Sequence, residues 1–141
     1  MFHIRLAKLS DAPELQKLND LFNGEGTNSL EDISETLKTN TLETVCVADD
    51  RGRLAGFCCG QVCKSICCPI LYAEITELFV MREYRRQGLG KQLLRYMETE
   101  LINSGVRHFH ILTSKDKFVA QALYHSFGFL DTSEMLLEKN V

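Results

Sequence analysis

The 141-residue chain lacks tryptophan and has only two prolines, Pro13 and Pro69. It also shows no internal repeat, low-complexity stretch or Pro-rich linker that would divide it, so residues 1–141 are expected to form one domain. No apolar run approaches the roughly 20 residues of a membrane span, and Met1 to Ala7 contains neither an h-region nor a cleavage site. These absences argue against a membrane partner and for a cytoplasmic protein. No basic run interleaved with aromatics is present, which argues against nucleic acid as a partner. The six cysteines lack the two C-x2-C knuckles of a zinc ribbon, and no histidine lies near Cys58, Cys59, Cys63, Cys67 and Cys68 in sequence, so no metal is expected.

With 45% hydrophobic residues, the chain can bury a core of ordinary domain size. Its net charge is −3 and is unevenly distributed. Residues 1–50 hold ten acids and four bases, net −6, leaving +3 on the remainder. A polyanionic ligand suits the C-terminal part, and acids of the N-terminal part could attract a cationic amine. The five cysteines from Cys58 to Cys68 read as small hydrophobes on a β-hairpin, with Cys67-Cys68-Pro69 as its turn.

The most informative segment is Arg85-Arg86-Gln87-Gly88-Leu89-Gly90. Before it, Ala73 to Val80 has the apolar and β-branched content of a strand. After it, Leu89, Leu93, Leu94, Met97 and Leu101 fall on one helical face. Two glycines one residue apart let backbone amides turn inward and let a phosphate approach closely. The helix opening there adds unpaired N–H groups and the positive end of its dipole, and Arg82, Arg85, Arg86, Lys91 and Arg95 add charge. The spacing fits neither the Walker loop nor the Gly-x-Gly-x-x-Gly dinucleotide fingerprint.

The remaining sequence alternates between elements. Phe2 to Leu6 reads as a strand, Ser10 to about Phe22 as a helix capped at Ser10, and Ser29 to Leu37 as a second helix capped at Ser29. Thr44 to Ala48 and Leu54 to Lys64 flank the turn Asp49-Asp50-Arg51-Gly52. A strand at 72–81, the helix at 89–103, a strand at 106–113, a helix from 116 or 117 to 126 and closing strands within Phe129 to Glu138 complete the order. Gly128 is placed as a positive-φ helix stop.

Arg85, Gly88 and Gly90, preceded by Leu78-Phe79-Val80, match the (Arg/Gln)-x-x-Gly-x-(Gly/Ala) motif of the Gcn5-related N-acetyltransferase superfamily. The element order resembles that fold over nearly the whole chain. The resemblance implies a single α/β (α+β) domain with a mixed, mostly antiparallel sheet flanked by helices, and an acetyl-CoA-dependent N-acetyltransferase without a metal. It places the pantetheine arm and thioester carbonyl on the main chain of Leu78, Phe79 and Val80, and the pyrophosphate on Arg85, Arg86, Gln87, Gly88, Leu89, Gly90 and Lys91, with Arg85 pointing outward. Tyr124, in Ala122-Leu123-Tyr124-His125-Ser126-Phe127-Gly128-Phe129, matches the tyrosine that protonates the leaving thiolate. Lys117 stands where many members carry an asparagine. Glu74 is the first candidate for general base and Glu77 the second; strand alternation puts them on opposite faces unless a bulge intervenes. His108 and His110 could relay a proton. The acceptor side falls to Phe22 to Leu37, and the acceptor to a primary amine, a small cationic one being favoured. Alternatives are a protein N-terminus or lysine as acceptor, or a non-catalytic sensor of CoA thioesters. Homodimerisation is common among proteins of this resemblance, but the sequence offers no specific interface.

Overall fold

The computed structural model describes all 141 residues. Its sheet has five strands in chain order: β1 (His3–Leu6), β2 (Glu43–Asp50), β3 (Arg53–Ser65), β4 (Cys68–Val80) and β5 (Val106–Ile111). The first three pairings are antiparallel and β4 with β5 is parallel. A parallel pair needs a crossover, supplied here by α3 (Leu89–Asn103). This helix buries Leu89, Leu93, Leu94, Met97 and Leu101 against Cys46, Cys58, Ala73 and Ile75 of the sheet. From α4 (Phe118–Ser126), Leu123 and Tyr124 pack on the same core. The opposite face is covered by α1 (Ala12–Asn23), through Leu15 and Leu18, and by α2 (Leu30–Thr39), through Ile33 and Leu37. Truncating a fully buried α3 leucine such as Leu94 to alanine would cost about 2–5 kcal/mol.

An ion cluster ties β1 to its neighbours. The Arg5 guanidinium donates to both carboxylate oxygens of Asp11, at 2.7 and 2.8 Å, and to Asp49 Oδ2 at 2.9 Å. Burial opposes ionisation of Asp11, but the hydrogen bonds from Arg5 and from the Lys8 N–H outweigh it and hold the carboxyl below its usual range. The Gly52 N–H and Arg5 likewise hold Asp49 low.

Three local expectations need correction. Ser10 does not cap α1, because Leu9–Asp11 forms a 3-10 turn and the helix starts at Ala12. Ser29 does cap α2, accepting from the Asp32 N–H at 3.0 Å. The β3–β4 turn is Ile66-Cys67, with Ser65 opposite Cys68 and Pro69 already in the strand. Cys46, Cys58 and Cys59 are buried, whereas Cys67 and Cys68 are exposed at the hairpin tip. The closing strands are absent, since no residue after β5 joins the sheet. A strand needs ladder bonds to a partner edge, and the β-type residues of 129–138 make none, although the outer edge of β5 is unpaired.

Asp11→Asn is expected to lower unfolding free energy at neutral pH by about 1–3 kcal/mol, because it leaves Arg5 with an unmatched charge-assisted bond. A carboxyl held low contributes stability above its unfolded pKa and loses it as pH falls through the folded value. The difference between variant and wild type in urea unfolding should therefore begin to shrink as pH falls below roughly 4 and close only below the lower, folded-state value.

Candidate active site

The site begins with the unequal edges of β4. Its ladder with β3 runs from Cys68 to Val80, whereas its ladder with β5 runs only from Leu71 to Ile75. Beyond Ile75 the sheet is split. The Met81 N–H bonds Ala55 O at 2.9 Å, so alternation turns Phe79 toward β3 and turns the N–H and C=O of Leu78 and Val80 to the open edge. Gly56 fits this arrangement: a Cβ built on it would lie 2.5 Å from Phe79 O and 3.3 Å from Leu93 Cδ1. Only glycine lets β3 and β4 approach so closely beneath α3.

At the mouth of the split β4 carries a bulge. Cys59 faces Glu77 and Gly60 faces Ile75, leaving Thr76 as the extra residue. The bulge overturns the expectation that Glu74 and Glu77 lie on opposite faces. Ile75 and Leu78 both pack toward α3, and Glu74 and Glu77 share the α1/α2 face. Two cross-strand rows result there, Glu43–Gln61–Glu74 and Val45–Cys59–Glu77. Burial raises the Glu77 carboxyl above its usual range, the Glu43 charge adds to the rise, and Lys117 opposes it. Thr76 Oγ1 is buried and has no hydrogen-bond partner. An orphaned hydroxyl where the sheet opens is a position for a bound group to satisfy.

The loop before α3 is shaped for an anion. Gly88 is the N-cap residue at φ 77°, and Arg86 is held at φ 63°, uncommon for a residue with a side chain. No side chain caps α3 and no acid lies in its first turn. The N–H groups that open the helix therefore face an arginine-rich loop without protein acceptors from a cap. A Cβ on Gly88 would meet nothing within 4 Å, whereas one on Gly90 would come within 3.5 Å of Leu123 Cδ2 on α4. Arg86, Gln87 and Lys91 are exposed. Arg85 does not simply point outward. Its Nε donates to Val80 O at 2.8 Å and its guanidinium lies 5.7 Å from the Phe79 ring centre.

Tyr124 packs from α4 against the α3-side core, edge-on to Phe129 at 6.1 Å. Burial raises its hydroxyl pKa and the Cys58 thiol adds to the rise; Cys58 stands opposite Leu78 in the ladder. Tyr124 and Glu77 thus approach β4 from opposite faces of the sheet. On the Glu77 side, the Phe22 ring packs against Phe79 at a tilt, with centres 5.0 Å apart, bringing the end of α1 to the split. His108 Nε2 and His110 Nε2 lie 2.9 Å apart on β5, with His110 opposite Glu74. Thr76 and Glu43 are members of this neighbourhood that sequence patterning did not select. Only the bulge joins them to Glu77, and no alternation rule reports it.

A split sheet with free main-chain groups, beside a glycine loop that opens a helix, defines an acyl-transfer fold. A profile of the Acetyltransferase (GNAT) family matches residues 13–129, so the chain belongs to that family, whose members use acetyl-CoA as cosubstrate, and is an acetyltransferase enzyme. An uncharacterised N-acetyltransferase of Chlorobaculum tepidum is 30% identical over 86% of this chain and 74% of its own length. A beta-lysine N(6)-acetyltransferase of Methanococcus maripaludis is 25% identical over 99% of this chain. The chain spans only 50% of that relative. Among solved structures, an aminoglycoside acetyltransferase from an uncultured soil metagenomic sample, in complex with sisomicin, superposes with a TM-score of 0.83 at 19% identity, over 99% of this chain and 95% of its own. AAC(6')-Iy, in complex with the bisubstrate analogue CoA-S-monomethyl-acetylneamine, gives 0.83 at 20% identity, over 100% and 99%. At these identities the structures establish a shared fold.

Gly56→Ala tests the close approach that sets the β4 edge. It should destabilise the chain by about 1–3 kcal/mol, because the new methyl meets backbone that cannot swing away. Thermal unfolding is the measurement, and an unchanged midpoint would refute the close approach.

Proposed function

We propose that the chain transfers the acetyl group of acetyl-CoA to a primary amine of a small cationic molecule by direct attack. The observation that carries this reading is the split beside β4, with a main-chain edge, a raised carboxyl on one face and a half-buried tyrosine on the other. The residues fit the cosubstrate. The uncapped start of α3, Gly88, Gly90, Arg86 and Lys91 would hold the pyrophosphate, with Arg85 and Gln87 beside them. Leu78, Phe79 and Val80 would line the pantetheine arm, with the outward groups of Leu78 and Val80 as partners, and Thr76 Oγ1 would gain its missing one. When bound, acetyl-CoA supplies the thioester whose carbonyl carbon accepts the amine.

Glu77 serves as general base in preference to Glu74. It follows the bulge at the split, whereas Glu74 lies where β4 is still paired with β5. A carboxyl raised toward neutrality is a better proton acceptor for an ammonium than an ordinary one. Glu77 takes a proton from the ammonium, which frees the lone pair that forms the C–N bond, and N–H groups on the open edge meet the charge on the carbonyl oxygen. As the C–S bond breaks, Tyr124 gives its proton to the sulfur and the second proton of the nitrogen replaces it; burial keeps the hydroxyl protonated until needed. Glu43 and Glu74, neither in a salt bridge, give the acceptor face its negative charge, which supports a cationic amine. The names of the beta-lysine and aminoglycoside acetyltransferases point the same way.

A mass-spectrometric screen of acetyl-CoA against pooled diamines, aminoglycosides, amino acids and short peptides tests the reading, through gain of one acetyl group. Products on peptides alone would replace the small amine with a protein acceptor. With an acceptor in hand, Glu77→Gln should lower kcat/KM by roughly 10²–10⁴ and abolish the acid limb of its pH profile, which rises with pH as the base ionises. Tyr124→Phe should lower kcat by a similar factor without weakening CoA binding. An intact acid limb in Glu77→Gln would pass the base role to Glu74. Thr76→Val should leave thermal stability unchanged or higher, by up to about 1 kcal/mol, while weakening acetyl-CoA binding. Stronger cofactor binding in that variant would remove Thr76 from the site.

A further inference from the structure

β5 carries a His-x-His pattern, and strand alternation sends both histidines to one face. Phe109 and Ile111 pack toward α3, so His108 and His110 take the opposite face, the one that also carries Glu74. Both histidines are exposed to solvent. Their Nε2 atoms lie 2.9 Å apart, with ring centres separated by 4.7 Å and ring planes nearly perpendicular at 89°. Tyr72 stands opposite His108 in the ladder, and its ring centre is 5.2 Å from that of His110. Glu74 stands opposite His110 and enters no salt bridge. Two imidazole nitrogens thus converge at an open surface beside an unpaired carboxylate.

Neutral imidazoles that meet through Nε2 share one proton, held by one ring and accepted by the other. Such ring nitrogens are also the commonest protein donors to a transition metal. Their spacing selects the geometry. With metal–nitrogen bonds of about 2.0–2.1 Å, donors at a right angle lie about 2.9 Å apart, whereas tetrahedral donors lie about 3.3–3.4 Å apart. The separation of 2.9 Å in this chain is the right-angle value. We propose that His108 and His110 form a chelating site for a divalent transition metal that takes donors at right angles, such as Ni²⁺ or Cu²⁺, on the exposed face of β5. On binding, the ring that held its proton on Nε2 gives it up and is protonated on Nδ1 instead. Both Nε2 lone pairs then meet the metal, and no net proton is released. No third histidine, cysteine or carboxylate converges on the pair as it stands, so water fills the other positions and Glu74 adds negative charge from the adjacent strand. A filled site would set positive charge on the face assigned to a cationic acceptor. That consequence rests on the acetyl-transfer reading, whereas metal binding does not.

Calorimetric titration of the full chain with Ni²⁺ at neutral pH tests the site without reference to acetyl transfer. The background carries Cys63→Ser, Cys67→Ser and Cys68→Ser, so that the thiols outside the core do not compete. One equivalent of Ni²⁺ should bind. His108→Ala or His110→Ala should weaken binding by roughly 10-fold or more. Circular dichroism should not change, because both side chains are exposed. Adding Arg107→His to His108→Ala returns the number of histidines to its original value but puts the new ring on the face away from His110, so binding should not recover. Zn²⁺, which favours tetrahedral donors, should bind more weakly than Ni²⁺. No saturable binding at millimolar Ni²⁺, equal affinity in either histidine variant, or recovery through Arg107→His would overturn the proposal. Tighter binding of Zn²⁺ than of Ni²⁺ would overturn its right-angle geometry.

Discussion

β4 is bonded to β3 along its whole length and to β5 for only five residues, and the rest of the site depends on that inequality. A strand paired on both sides has no main-chain group to offer. Here the β3 ladder holds β4 in place while its other edge, past Ile75, is released. The rigidity has identifiable sources: Gly56 admits the Phe79 carbonyl, and the fully buried α3 leucines press from above. The opening is thus a consequence of where β5 stops, and no loop has to move to create it.

The bulge at Thr76 acts on the same strand in a different way. One extra residue turns Glu77 to the face already occupied by Glu74 and in reach of the charge on Glu43. Burial is the first cause of the rise in the Glu77 carboxyl, the Glu43 charge adds to it, and the ammonium of Lys117 limits it. On the other face, Tyr124 is raised chiefly by desolvation. Both groups are displaced upward chiefly by burial, with a neighbouring carboxylate adding to the rise of one and a thiol to that of the other.

Much of this was legible in the residues. The limits of α3 and the β2–β3 hairpin followed from glycine, asparagine and aspartate signals, which act locally. Cys46, Cys58 and Cys59 proved to be core residues, as small hydrophobes should be. The failures share a cause. The bulge, the shortened β4–β5 ladder and the missing closing strands are all properties of pairing, decided by residues distant in sequence. Alternation predicts which residues a strand presents but not whether a partner accompanies it. For the same reason Thr76, polar and unremarkable in its run, became visible only when its hydroxyl was found buried without a partner.

Arg85 joins the two ends of the site. Its Nε holds the carbonyl of Val80, one of the outward groups of the free edge, while its charge belongs to the loop that opens α3. If a ligand amide displaced the guanidinium from that carbonyl, the charge would be released a few residues from the helix start, where the proposed anion would be held. Occupation of the strand edge and strengthening of the anion cradle would then be one exchange event, and a ligand carrying both an amide and a phosphate would gain more than two fragments carrying one each.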